Sequence, residues 1–399
     1  MNRISIAVSL AVVLLVVVST ALQAEVKMPF TFNKGMILQH GVAHPIWGMA
    51  DPGEKVSLQF AGQIKEVIAG ATGMWQVVLD PLAPTAPGSK PLEMIIKGTN
   101  TIKFSDIVVG EVWLSIASGA MGKRNLKIPK AEQASMYDAH LRIHLMPNAN
   151  SILPVEQNFV ACMWMDASKR RLNNWSAVPF YFLQQLKAGS SMPVGLLNGA
   201  FARGGSPHMF MPYSAHVFLK GEQYQEITNK MALNDITSET GQKSIQNKVQ
   251  AIQLWNQQFE AALARGKYPP ERPEFDGEKG ISKYPSSLYN MMINPVKRFP
   301  VAGIIVYLEK QYAEKPDEYF DKIAALVDGV RADFNRPEMP MIIVNTADVA
   351  HPGVKQLLAS RKFVKVVPGV GNGGWKDVLP PKTVATSLFT AATEIKEGK

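Results

Sequence analysis

The chain has little cysteine, no basic tract and no long apolar run beyond its first residues, and each absence excludes a class of protein. Its one cysteine, Cys162, cannot form an intrachain disulfide, so stability must come from an ordinary core, where we expect this thiol to lie. The net charge of +9 is spread along 399 residues without interleaved aromatic platforms, so we predict no nucleic-acid partner.

The first 24 residues have the pattern of a secretory signal. Arg3 precedes the apolar run Ile4–Val18, and small residues follow as far as Ala24. The run is shorter than the roughly 20 residues that usually span a membrane. The pattern therefore predicts a signal peptide over 1–24 and a secreted or periplasmic mature protein without a membrane span.

Residues 25–108 have an all-β pattern. Side-chain character alternates along Lys55–Phe60 and Trp75–Leu79, as in half-buried strands, which predicts a small β-sandwich domain. His40 and His44 lie in the same region, but no Cys, Asp or Glu at ligand spacing completes a metal site. We expect both histidines at the surface.

Residues 109–399 alternate between strands and helices, which predicts a doubly wound, mostly parallel α/β sheet flanked by helices. A helix is predicted from Asn174 to about Lys187. Strands are predicted over Pro193–Asn198, Val301–Tyr307 and Pro340–Asn345.

A polar, helix-rich insertion is predicted within this domain at about 220–282. Four apolar side chains fall on one helical face and are expected to dock the helix on the domain: Ile252, Trp255, Phe259 and Leu263. Gly266 ends the helical run.

The segment Gly110–Met121, GEVWLSIASGAM, resembles the nucleophile block of the sialate O-acetylesterase family, SGNH-type serine hydrolases that remove acetyl groups from sugars. Trp113, Leu114 and Met121 match that block without a gap. Further similar segments cover most of the mature chain: MILQHGVAHPIWGMADPGEKVSLQF, NWSAVPFYFLQQL, PVGLLNG and PSSLYNMMINP. The resemblance implies an SGNH-hydrolase-like α/β fold preceded by a β module.

The same resemblance implies that the reactive groups have been exchanged. The family's serine falls on Gly119, and the asparagine that helps to hold the oxyanion falls on Ala120. The family's Asp-Ile-His-Pro run falls on Asp377-Val378-Leu379-Pro380, so Leu379 occupies the position of the base beside a retained Asp377. Serine hydrolysis needs both a nucleophile and a base.

Two further blocks supply candidate pocket residues by the same resemblance. The second block survives in part as Gly204, Gly205 and Ser206, whose glycines can present backbone N–H groups. The third block is exchanged and places Glu309 and Lys310 at the pocket.

An alternative site remains open. Asp348 and His351 have the Asp-x-x-His spacing of such enzymes, and Ser118 adjoins the nucleophile position. The order of strands and helices favours Leu379 over His351 as the base position, and a neighbouring residue's side chain should point elsewhere. His208, after the second block, is interpreted as a loop histidine.

The sequence therefore predicts an exported, catalytically inactive relative of the family that binds an acetylated sugar, another glycan or an envelope partner. The alternatives are an active esterase built around Ser118, His351 and Asp348, and an adhesion module carried by 25–108. No metal or cofactor is expected, because ligand clusters and phosphate-binding loops are absent from the sequence.

Overall fold

The computed structural model describes residues 25–123, 126–128, 133–157, 162–168, 171–201, 204–275, 284–308, 315–345, 352–369 and 379–398. The strands are β1 Ile37–Gln39, β2 His44–Met49, β3 Lys55–Phe60, β4 Gln63–Ile68, β5 Met74–Leu79, β6 Leu92–Lys97, β7 Thr101–Ser118, β8 Asp138–Leu145, β9 Trp164–Ala167, β10 Val194–Phe201, β11 Gly303–Tyr307, β12 Met341–Asn345 and β13 Val364–Pro368. The α-helices are α1 Ala177–Ser190, α2 Gln225–Ala232, α3 Glu239–Ala264, α4 Pro316–Asp333, α5 Pro352–Ala359 and α6 Pro381–Lys396. Within these residues, none of the helices combines the length and apolar character needed to cross a membrane.

The N-terminal strands form two small sheets that face one another. β2 pairs antiparallel with β5, while β3 pairs with β4 and β6, and β6 pairs with the first half of β7. Inward side chains from both sheets share one apolar core, among them Ile46, Val56, Val77 and Ile96. Alternate residues of β3 and β5 are buried, as the period of two along a strand requires.

β7 joins this β module to the rest of the chain. From Thr101 to Asp106 its residues alternate between exposed and half-buried, whereas every residue from Ile107 to Ser118 is buried. The change marks its entry into a parallel sheet, whose strands are covered on both faces. The strand continues without interruption through the domain boundary predicted at residue 108.

The main sheet has the strand order β13-β12-β11-β7-β10-β8-β9, and only the β8–β9 pairing along this order is antiparallel. Two apolar cores cover its faces. One contains buried side chains of α4 and α5, and the other contains those of α1 and α6. The predicted doubly wound, mostly parallel sheet flanked by helices is confirmed.

The seam between the β module and the main sheet corrects two expectations. His44 was expected at the surface but is fully buried, with its ring 4.7 Å from that of Phe299. It shares a strand face with Ile46, two residues on, and that face points into the core. Cys162 is half-buried and packs against this core, and burial raises the pKa of its thiol.

The long helix α3 corrects a third expectation. Its apolar stripe was expected to dock on the domain, but Ile252, Trp255 and Phe259 are only half-buried, and Leu263 is 57% exposed. The indole Nε1 of Trp255 instead donates to the carbonyl of Pro270, 2.9 Å away, in the segment that follows the helix. The stripe is therefore partly covered by the chain's own return segment.

Candidate functional site

The parallel strands of the main sheet end along one margin, which we call the carboxyl edge. The chain passes from β10 on one side of β7 to β11 on the other, so β7 ends where the strand order reverses. Ligands of open α/β sheets bind outside the carboxyl ends of the strands at such a reversal. Gly119, the predicted nucleophile position, directly follows β7 at this point.

The turn after β7 has a backbone suited to glycine. Gly119–Met121 forms one turn of 3₁₀ helix, and the carbonyl of Gly119 accepts hydrogen bonds from the amides of Gly122 and Lys123. Gly119 has a φ of 52°, in the left-handed region that glycine adopts without steric strain. The backbone of Ala120, the predicted oxyanion position, lies in the same turn. The turn offers no side chain for attack at residue 119.

A buried polar clamp holds this turn against the neighbouring strand. The hydroxyl of Ser115 on β7 donates to Oδ1 of Asn198 on β10, 2.6 Å away, and Nδ2 of Asn198 donates to the carbonyl of Met121 at 2.9 Å. The two strands are in register here, with Ser115 opposite Asn198. Because all three groups are buried, each bond is worth more than it would be in water.

The second predicted block lies just beyond β10. The amide of Gly204 donates to the carbonyl of Phe201, 3.1 Å away, and closes a tight turn in which Gly204 has a φ of 86°. Its N–H is therefore engaged within the loop. A side chain at Gly205 would meet Phe210 and Leu288 at under 3 Å, so the backbone passes close to the core here.

Ser206 and His208 are brought together in the same loop. Ser206 precedes a short 3₁₀ helix, Pro207–Phe210, and its Oγ lies 2.8 Å from Nδ1 of His208. Ser206 was predicted as a pocket residue and His208 as a loop residue. The structure thus brings a hydroxyl and an imidazole into hydrogen-bonding distance in the loop that leaves the carboxyl edge.

Leu379, the predicted base position, lies near the carboxyl ends of β12 and β13, which are on the β11 side of β7. Its amide donates to the carbonyl of Gly369, 3.4 Å away, and the amide of Gly369 donates to the carbonyl of Asn345 at the end of β12. The side chain of Leu379 packs against the apolar core that contains Ala117 and Met121. An aliphatic group therefore stands just before α6, where the family resemblance places a histidine.

The predicted alternative nucleophile, Ser118, is fully buried at the end of β7, where its hydroxyl has no access to solvent. The remaining candidates lie outside the described residues: Glu309, Lys310, Asp348, His351 and Asp377. Across the described ranges, no group of three or more His, Cys, Asp or Glu side chains is arranged to hold a metal ion.

Two polar residues near the edge were missed from the sequence. Asn198 was included in a predicted strand without a role, although a polar residue within an otherwise apolar strand is a signal for a buried hydrogen bond. Ser286 has a φ of 61°, which is uncommon outside glycine, and its amide donates to the carbonyl of His208 at 2.9 Å. Nothing in the sequence signals that backbone conformation.

Comparisons with known proteins agree with this architecture. No family model matches the chain. The chain is 23% identical over 309 residues to the sialate O-acetylesterase of Rattus norvegicus, a match that covers 73% of this chain and 53% of the relative, so the chain spans about half the length of the curated relative. A crystal structure of a carbohydrate acetylesterase from Xanthomonas citri matches with a TM-score of 0.70 at 21% identity, over 94% of this chain and 76% of that one.

The sequence match confirms the resemblance to the sialate O-acetylesterase family, and the structural match confirms the predicted fold. The chain is sialate O-acetylesterase-like in sequence and has the SGNH-like α/β fold of a carbohydrate esterase.

Proposed function

We propose that the chain is an exported, catalytically inactive relative of the carbohydrate acetylesterases that binds an acetylated sugar or glycan at the carboxyl edge and does not cleave it. One observation carries the proposal. Gly119 stands at the end of β7 and Leu379 stands before α6, so neither a hydroxyl nor an imidazole occupies the two positions that the family uses for attack and proton transfer.

The size of the expected loss supports inactivity. Removing the nucleophile or the base of a serine hydrolase lowers kcat by about a million-fold, and losing both does not multiply the effect. A lost oxyanion donor lowers kcat by about a hundred- to a thousand-fold. A chain with glycine, alanine and leucine at these three positions retains no mechanism for rapid ester hydrolysis by the family route.

The intact surroundings of Gly119 support retained binding. The clamp of Ser115, Asn198 and Met121 holds the turn in one shape, and Gly205 keeps the backbone of the next loop close to the core. These contacts position backbone rather than reactive side chains. A crevice whose walls are held this way can bind a ligand after its chemistry has gone.

The relatives' names suggest the ligand class. The matched proteins are a sialate O-acetylesterase and a carbohydrate acetylesterase, so an O-acetylated sugar is the ligand to test first.

Export is proposed from the residue pattern of 1–24. The division of the chain at residues 108 and 109 is proposed from the change of sequence pattern there.

The experiment compares binding with turnover on the same molecule. The full mature chain is incubated with 9-O-acetylated N-acetylneuraminic acid and with 4-nitrophenyl acetate, and free acetate is measured beside an active serine esterase. We expect no acetate above the buffer rate, together with saturable sugar binding in ligand-observed NMR. Acetate release that scales with protein concentration would contradict the proposal.

A further inference from the structure

Within the described part of the loop after β10, residues 204–211, most side chains are buried and two are not. Gly204, Gly205, Pro207 and the residues Met209–Met211 are buried, whereas Ser206 and His208 are half-buried. The alternation places these two polar side chains on the accessible side of an otherwise packed segment. A ligand that contacts residues 204–211 from the solvent side can therefore reach a hydroxyl and an imidazole.

The loop lies beside the emptied nucleophile turn. β10 runs parallel to β7 with Phe201 opposite Ser118, and Gly119 is the next residue along β7. The amide of Gly204 donates to the carbonyl of Phe201, so the described residues after β10 begin beside the end of this strand. Ser206 therefore follows, within a few residues, the strand end that neighbours Gly119.

The segment that contacts His208 has a strained backbone and hydroxyls without hydrogen-bond partners among the described residues. The carbonyl of His208 accepts a hydrogen bond from the amide of Ser286. Ser286 has a φ of 61°, which is unfavourable for serine. Within the described part of the chain, the hydroxyls of Ser286 and Ser287 are buried without a hydrogen-bond partner. Left-handed serine and unsatisfied buried hydroxyls are both unfavourable, and such features cluster at functional sites, where the surrounding structure holds them in place.

We propose that Ser206, oriented by its hydrogen bond with His208, is the residue that recognises a sugar hydroxyl in the crevice. This proposal rests on the proposed function and names its ligand contact. A serine hydroxyl both donates and accepts, and a neutral imidazole Nδ1 takes whichever role the hydroxyl leaves open. Such a pair adapts to a neutral hydroxyl of a carbohydrate, which also has both roles to offer.

The same pair is poorly placed for nucleophilic attack. Ser206 and His208 are two residues apart in one tight loop, so their hydrogen bond is set by local geometry rather than by a base brought from a separate element. A hydrolytic pair further needs donors aimed at the oxyanion, and the Gly204 amide is engaged with Phe201. Recognition requires only the accessible hydroxyl.

The test uses the full mature chain and the probe sugars 9-O-acetylated N-acetylneuraminic acid and its unacetylated parent, with affinity measured by isothermal titration calorimetry. Ser206→Ala should weaken binding by about 5- to 10-fold, the effect of one hydrogen bond of about 1 kcal/mol or slightly more. His208→Phe should weaken it similarly, and His208→Asn should restore part of the affinity because its amide can still bond Ser206.

Ser214→Ala is the matched control, because Ser214 is a half-buried serine in another 3₁₀ helix, Tyr213–Phe218. It should leave affinity unchanged, and thermal midpoints of all variants should match, which separates recognition from folding. Wild-type affinity in Ser206→Ala would overturn this proposal and leave the proposed function standing. Absence of sugar binding in the unaltered chain would overturn the proposed function itself, and hydrolysis that requires Ser206 would overturn both.

Discussion

At its amino end the buried part of β7 carries Glu111, a carboxylate held by two partners, whereas at its carboxyl end the strand leads into Gly119, which carries no side chain. One carboxylate oxygen of Glu111 accepts from Nε1 of Trp113 at 2.6 Å, and the other accepts from Nζ of Lys396 at 2.5 Å. Glu111 is 3% exposed. The Glu111 contacts and the positions that the family uses for chemistry thus lie towards opposite ends of the buried part of the strand.

The contacts that hold the fold at the amino end do not depend on which residues stand at the carboxyl end. The amino end joins β7 to the C-terminal helix α6 through Lys396, and the clamp at Asn198 shapes the turn without using a catalytic side chain. Replacing a nucleophile by glycine changes neither set of contacts.

The two fully buried imidazoles should make stability depend on pH. Burial lowers the pKa of His44 and of His144 from 6.5 to about 4. The unfolded chain therefore takes up protons as the pH falls below about 6.5, while the folded chain resists protonation until about pH 4. Stability is thus lost on acidification through this window and is unaffected above it.

With one pKa unit worth about 1.4 kcal/mol, the two histidines together should remove about 4 kcal/mol between pH 7 and pH 5. Urea unfolding at the two pH values measures the loss, and His144→Gln should reduce it by about half. An unchanged pH dependence in that variant would show that this imidazole is not a buried packing group.

Removing the cation at the amino end of β7 should destabilise the fold strongly. Lys396→Met leaves a buried carboxylate without its charged partner, which should lower the free energy of unfolding by about 3 kcal/mol. The control is Lys365→Met, which breaks the ion pair with Glu394 on the same helix, where the carboxylate side chain is 42% exposed, against 4% for Glu111. That change should cost under about 1 kcal/mol. Equal effects of the two variants would refute the special role of Glu111.

Breaking the clamp should have an intermediate effect. Asn198→Ala leaves the Ser115 hydroxyl and the Met121 carbonyl buried without this partner, and should lower stability by about 2 kcal/mol. Ser115→Ala removes one bond of the pair and should cost about 1 kcal/mol. Chemical unfolding of the two single variants and the double variant measures the coupling. Additive effects would mean that the two bonds do not act as a unit.

Restoring a serine at the carboxyl end should have the smallest effect. Gly119→Ser places a side chain at a φ of 52° and should cost about 1 kcal/mol, without producing esterase activity, because Leu379 supplies no base. Gly122→Ser is the control, since Gly122 has a φ of −103° and tolerates a side chain. Thermal unfolding and acetate release from 4-nitrophenyl acetate give the two measurements. Efficient hydrolysis by Gly119→Ser would reveal a base elsewhere in the crevice.

The sequence predicted the elements of the main sheet well because their signals are local. The strand expected over Pro193–Asn198 is found at Val194–Phe201, and the helix expected from Asn174 to about Lys187 is found at Ala177–Ser190. Continuous apolar runs and helical periodicity report burial on both faces of a sheet and on one face of a helix.

Features that depend on a distant partner were not predictable in the same way. The stripe on α3 identified a helical face but not what covers it, and the structure places the following segment there through Trp255 and Pro270. His44 was assigned to the surface by residue type, although the period of its strand places it beside Ile46 in the core. The Asn198 clamp depends on the register between β10 and β7, which no single segment encodes.

Covalent labelling tests the central claim most directly. The full mature chain is incubated with a fluorophosphonate probe, which reacts with activated serines, and any modified residue is located by mass spectrometry. The proposed inactivity, with glycine at 119 and leucine at 379, predicts no labelled serine, beside complete labelling of an active serine esterase. Stoichiometric labelling of a serine at the carboxyl edge, whether Ser118 or Ser206, would contradict it.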